Sequence, residues 1–244
     1  MIRRILFLCA VSSAAALAGC EDGDVTRPVP SETVTIVFQD GGSPYASYYG
    51  TRDATLKDGP HPELANGNFG HLAVDTLGAV ELPGGIWERR LLVRFDLSPI
   101  TDCSAVVGAR LKISFVAVDT NRTIALAAYE ATVPAAIPAS WDEGSGGLAG
   151  GVSWRTVDGS YPWDTPGGDI VALLDTREAR ADSSVVFELP AERVSAWLRD
   201  PALNHGVLVV PVGPSSQRYV LAYLRETPHI RRRPELSIEY VRAG

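Results

Sequence analysis

Apolar and polar side chains alternate along most of the chain from Thr33 onward. Ala109, Leu111, Ile113 and Phe115 alternate with Arg110, Lys112 and Ser114, and Leu236, Ile238 and Tyr240 alternate with Glu235, Ser237 and Glu239. A period of two puts one set on the buried face of a strand and the other in water. The same reading predicts strands over Thr33–Gln39, Arg90–Leu97, Ile124–Ala131, Ser184–Leu189, Val207–Val212 and Arg218–Leu224. Ile124–Ala128 and Val207–Val212 have little polar face, which places them centrally in a sheet or under cover on both sides. One helix is predicted over Ala191–Arg199, where Val194, Trp197 and Leu198 fall at i, i+3 and i+4 and Pro201 ends the run. A single short helix cannot cover the faces of a parallel sheet. The expected fold is therefore all-β: one antiparallel β-sandwich, jelly-roll-like, over residues 33–244, with the short helix capping an open end.

Two stretches break the pattern. Gly41–Leu72 and Ile137–Gly168 are rich in glycine, proline and aromatic residues. They read as long surface loops, where a rigid scaffold commonly carries its binding residues.

The amino terminus has its own logic. Arg3 and Arg4 precede an uncharged apolar run, Ile5–Leu17, which is shorter than the roughly 20 residues a membrane-spanning helix needs. Leu17-Ala18-Gly19-Cys20 then has the form of a lipobox. The reading is a lipoprotein signal peptide over residues 1–19, lipidation at Cys20 and a flexible, acidic, proline-bearing tether over residues 20–32. It implies export to the bacterial cell envelope, with membrane contact through the lipid alone.

The chain carries a net charge of −7, and removal of Arg3 and Arg4 with the leader would leave −9. That sign argues against nucleic acid as a partner. With Cys9 in the leader and Cys20 acylated, Cys103 would have no partner for a disulfide, and the core must hold without one.

Catalytic signatures are weak. His61, His71, His205 and His229 lie in no nucleophile or metal motif, and Glu143-Gly144-Ser145-Gly146-Gly147 only loosely parallels the glycine-flanked serine of a protease. Asp142 and Glu143 are adjacent, so their side chains diverge, whereas a hydrolytic pair faces itself across roughly 5–10 Å. The expectation is a non-enzyme. The one cofactor entertained is a structural calcium, with Asp53, Asp58 and Asp75 as hard oxygen donors.

Sugar recognition needs flat exposed aromatics and orienting polar groups. Tyr45, Tyr48 and Tyr49 in the first long stretch, and Trp141, Trp154, Tyr161 and Trp163 in the second, are the candidates. Trp141 and Trp154 serve equally well as anchors packing their loop. Arg231, Arg232 and Arg233 form a basic run suited to an acidic glycan, while Trp197 belongs to the core stripe of the helix.

Taken in order, these segments resemble a known family. Tyr49–Leu56 with Asn68-Phe69-Gly70 and Leu72–Asp75, then Arg90–Leu97, Ser140–Gly144 with Val152-Ser153-Trp154, Trp163–Asp169, Val194–Trp197 and Arg233–Tyr240, resemble the successive motifs of DNRLRE-type domains. These are grouped with family 96 carbohydrate-binding modules. Of the hexapeptide that names the family, only the fragment Leu224-Arg225-Glu226 has a counterpart. The resemblance implies a non-catalytic β-sandwich that binds polysaccharide, in some members an acidic one such as alginate. An adhesion subunit binding other surface proteins, and a divergent polysaccharide-degrading enzyme, are the alternatives on the same scaffold.

Overall fold

Strands form where the alternation predicts them, and in three further places. The computed structural model describes residues 32–116, 123–137, 140–148, 150–213 and 218–243. The signal peptide, Cys20 and the tether up to residue 31 lie outside the described residues. The strands are β1 (Thr33–Phe38), β2 (Thr51–Lys57), β3 (Val74–Leu82), β4 (Gly85–Phe95), β5 (Cys103–Ser114), β6 (Thr123–Thr132), β7 (Asp169–Arg180), β8 (Ser184–Leu189), β9 (Val207–Pro211), β10 (Arg218–Tyr223) and β11 (Glu235–Arg242). Two α-helices accompany them: a single turn, α1 (Pro62–Ala65), and α2 (Ala191–Arg199).

All pairings are antiparallel. A four-stranded sheet runs β1-β11-β5-β8, and a seven-stranded sheet runs β10-β3-β4-β9-β6-β7 with β2 added on β4. Leu91 and Val93 of β4 each have two partners, Thr55 and Asp53 in β2 and Val209 and Val207 in β9. β2 and β9 therefore lie on opposite edges of β4.

The inner faces of the two sheets meet in one apolar layer. Phe38, Leu111, Ile113, Phe187, Leu236 and Ile238 from the smaller sheet are buried with Leu91, Val93, Leu126, Val209 and Val220 from the larger. The alternation of β5 and β11 predicts this face directly. α2 closes one end. Val194 and Trp197 are buried in the same layer, and the Trp197 indole N–H donates to Glu130 Oε1 at 2.9 Å, which satisfies a polar atom that burial would otherwise leave costly.

The seven-stranded sheet is also covered on its outer face. Leu92, Leu208, Ala54 and Leu56 point away from the first layer and are buried with Trp141, Val152, Trp154, Val157 and Trp163. The second long stretch of the sequence is thus a lid over the sheet. This explains why β9 reads Val-Leu-Val-Val without a polar face: successive residues enter different cores. It also explains β2, which the sequence places in an irregular loop. Asp53, Ala54, Thr55 and Leu56 are all buried, so two covered faces erase the alternation.

Candidate functional site

The Ile137–Gly168 segment holds its shape through its own tryptophans. The Trp141 indole donates to the His205 carbonyl at 2.8 Å and that of Trp163 to the Ser153 carbonyl at 2.9 Å. Arg90 lies over the Trp154 ring at 4.7 Å and donates to the Gly167 carbonyl at 3.0 Å. The expected stacking surface is therefore corrected. Trp141, Trp154 and Trp163 are buried, because their large apolar area is covered with Leu92 and Leu208, the N–H groups of Trp141 and Trp163 find carbonyls, and Arg90 lies over Trp154. Tyr161 separates from Trp163 and remains 52% exposed. Tyr48 is likewise buried, against Phe38, with its hydroxyl donating to the Asp96 carbonyl. Burial and the nearby Asp40 carboxylate push that phenol upward from its ordinary range.

The glycines of this segment wrap around one side chain. The Asn68 amide donates to the carbonyls of Glu143 (2.5 Å) and Val152 (2.9 Å) and accepts from the Gly146 N–H (2.8 Å). A Cβ on Gly144 or Gly151 would fall 2.7 Å or 2.6 Å from that amide. Close approach to Asn68 excludes a side chain at Gly144 and Gly151, whereas at Gly146 the neighbour is the His71 ring. The described Ser–His contact is elsewhere, Ser140 Oγ to His205 Nδ1 at 3.2 Å, and it joins the base of the loop to the turn before β9.

Asn68 also delivers Glu143 to a buried polar knot. Glu143 Oε1 accepts from the Asp53 N–H (2.8 Å) and from Arg225 Nε (2.9 Å). The Arg225 N–H donates to Asp53 Oδ2 at 2.7 Å, and its guanidinium reaches Glu226 (2.5 Å) and Asp40 (3.5 Å). Burial alone would lower the Arg225 pKa, but the carboxylates of Glu143, Glu226, Asp40 and Asp53 outweigh it and raise it. Asp53 is wholly enclosed. Desolvation holds its carboxyl well above the usual range, and its Oδ1 has no hydrogen-bond partner among the described residues. Burial raises Glu143 too. The knot ties β2, the lid and the segment after β10 together. Asp53, at its centre, is closed to solvent. Arg225 is the residue the sequence reading passed over, and the only signal was the fragment Leu224-Arg225-Glu226.

The calcium donor set is not assembled. Asp53 belongs to the Arg225 knot. Asp75 pairs with Lys57 Nζ at 2.8 Å, and the Asp58 side chain accepts from the Gly59 N–H. Lys57 pairs with Asp75, the Arg225 charge lies near Asp53, and no group of three or more His, Cys, Asp or Glu suited to a metal occurs among the described residues.

An open groove lies beside α2. Its volume is about 460 Å³, and Tyr49, Arg52, Arg94, Asp96, Ser98 and Asn204 supply its polar lining while Trp197 and Leu198 supply an apolar wall. Tyr49 is 61% exposed. Arg52 is tethered by Tyr49 and Thr51 carbonyls and sits 3.8 Å from Glu143. Arg94 rests 5.6 Å from the centre of the Trp141 ring, and no carboxylate among the described residues pairs with it. Burial, then the neighbouring Arg52 charge, lowers its pKa from the ordinary value. Arg52 and Arg94 are register partners across β2 and β4, so their like charges lie close together, and an anion bound between them would relieve that repulsion. Both Asp96 oxygens accept from Ser98, and the Asp96 charge also acts favourably on Arg94.

The basic run lies elsewhere on the surface. Arg231 and Arg232 are exposed in a 3₁₀ turn over Ile230–Arg232, whereas Arg233 is turned inward, donating to the carbonyls of Asp40 (2.9 Å) and Thr227 (3.0 Å). Arg233 therefore braces the backbone at Asp40 and Thr227. In comparisons with known proteins, no family model and no curated protein matches the chain.

Proposed function

We propose that this chain is a lipid-anchored, non-catalytic protein of the bacterial cell envelope that binds polysaccharide, acidic chains in preference to neutral ones. The observation that carries the reading is the groove in which exposed Tyr49 stands beside Arg52 and the unpaired Arg94. A tyrosine face stacks on the C–H face of a sugar ring, and a guanidinium pair takes a carboxylate in bidentate fashion. The resemblance to carbohydrate-binding domains agrees with this. So does the commitment of Glu143 and Asp53 to internal hydrogen bonds, which sets Glu143 apart from the exposed Asp142 beside it.

The test is retention of the soluble domain on immobilised polygalacturonate and on neutral xylan. Selective retention on the polyuronate, weakened by salt because exposed charges are screened within about 8 Å at physiological ionic strength, supports the reading. Equal retention on both, or none on either by folded protein, overturns it. Anchoring is tested separately: Cys20→Ser should abolish metabolic palmitate labelling and release the protein from membranes, and undiminished label would refute the anchor.

A further inference from the structure

A second surface recess lies on the other side of Tyr49. Tyr223, Pro228, His229, Ile230, Arg231 and Arg232 line it, and its volume is about 510 Å³. Tyr223 and His229 meet edge to face with ring centres 6.0 Å apart, and Arg232 lies 6.0 Å from the centre of the Tyr223 ring. Like the first groove, this recess joins a tyrosine to guanidiniums; here Arg231 and Arg232 are exposed, and neither forms an ion pair among the described residues.

The two recesses adjoin. A Cβ placed on Gly41 would lie 3.8 Å from the Tyr49 hydroxyl, 3.8 Å from Ile230 Cδ1 and 3.1 Å from an Arg233 nitrogen. Tyr49 lines the first groove and Ile230 the second, so both borders converge on the strip of surface at Gly41. Gly41 has φ +71°, and any side chain there would be both strained and raised between the recesses. Beneath the strip, the inward-turned Arg233 holds the Asp40 carbonyl and fixes the height of the junction.

Resting on the polysaccharide reading above, we infer that the two recesses are subsites of one path, and that the ligand is an extended run of anionic sugar residues, not a chain terminus. The path runs from Arg52 and Arg94 over the Tyr49 ring and past Gly41 and Ile230 to Arg231, Arg232 and Tyr223. Cations at both ends fit charge repeated along the polymer. A single acidic sugar could satisfy only one end.

The test is calorimetric titration of the soluble domain with size-defined polygalacturonate oligomers, from the disaccharide to the octasaccharide. Once an oligomer spans both subsites, the second contact becomes intramolecular and affinity should rise by about ten-fold or more. In Arg231→Ala/Arg232→Ala this length-dependent gain should fall below about two-fold. If that pair unfolds the 3₁₀ turn, Arg231→Gln/Arg232→Gln keeps the side-chain packing and removes the charge, and the same collapse is expected. A disaccharide that binds as tightly as the octasaccharide, or a length gain that survives both double substitutions, overturns the extended path and leaves the single groove standing. Failure of every oligomer and of the polymer to bind overturns the groove reading itself.

Discussion

The sandwich contains two buried layers built by different means. The layer between the sheets is made mostly by strands, with Leu111, Ile113, Phe187 and Ile238 buried with Leu91, Val93 and Val209, and α2 closing its end. The layer on the outer face of the seven-stranded sheet is half strand and half loop, with Leu92, Leu208 and Leu56 under Trp141, Trp154 and Trp163. Periodic backbone determines which side chains enter the first. In the second, individual anchors decide: indole N–H groups on carbonyls, Arg90 on Trp154, and Asn68 at the centre of a glycine turn. Aromatic residues clustered in a loop are therefore evidence of something to cover as readily as evidence of something to bind.

The largest effect that separates the layers is expected from Phe115→Ala. Phe115 is wholly buried in the inter-sheet layer, and lost transfer energy plus the residual cavity should cost about 3–5 kcal/mol in denaturant unfolding. Trp163→Ala should cost less, about 2–3 kcal/mol, because an irregular lid settles into a cavity more readily than a sheet does. Its signature is local: hydrogen exchange should accelerate in residues 140–168 and in β2, while β5 and β11 keep their protection. Equal acceleration in β5 would show that the two layers are one cooperative unit.

The knot that pins the lid to β2 predicts a pH effect of defined sign. Because desolvation raises the Asp53 carboxyl, the folded chain holds that proton more tightly than the unfolded chain does. Its contribution to stability is full below about pH 4, the unfolded value, and is lost as pH rises through the raised folded value. Stability of the native sequence should therefore fall more steeply with rising pH than that of Asp53→Asn. Urea midpoints taken upward from about pH 4 check this, and parallel curves would show that Asp53 titrates as it does in the unfolded chain.

What was legible in the sequence follows the same division. The β5 and β11 patterns and the α2 stripe specify their elements, because one face of each meets water and the other meets the core. β2 was hidden because both its faces are covered. β7 was hidden for the opposite reason: Ile170, Val171 and Leu173 are exposed on an edge strand, so apolar character there does not report burial. Within the site, Tyr49 was picked out as an exposed aromatic and stands as one. Trp163 was picked out on the same grounds and is core, since composition cannot say whether a loop lies on a sheet or above it. Arg52 and Arg94 lie inside segments that resemble family motifs, but nothing in the sequence marks either as a binding residue. Each sits on a strand as an ordinary polar residue, and only the pairing Arg52 to Arg94 across β2 and β4 brings them together.

The most direct measurement of this account takes melting temperature and polygalacturonate affinity together for Tyr49→Ala and Trp163→Ala. Tyr49→Ala should weaken binding by about five-fold, the equivalent of about 1 kcal/mol of aromatic contact. Its melting temperature should hold, since an exposed substitution shifts stability by no more than about 0.5 kcal/mol. Trp163→Ala should lower the melting temperature by several degrees, about 2–4 °C per kcal/mol for a domain of this size. Below that transition its affinity should match the native domain. The reverse pattern, in which affinity falls with Trp163 at an unchanged melting temperature and is indifferent to Tyr49, would place the binding surface on the lid and contradict the account.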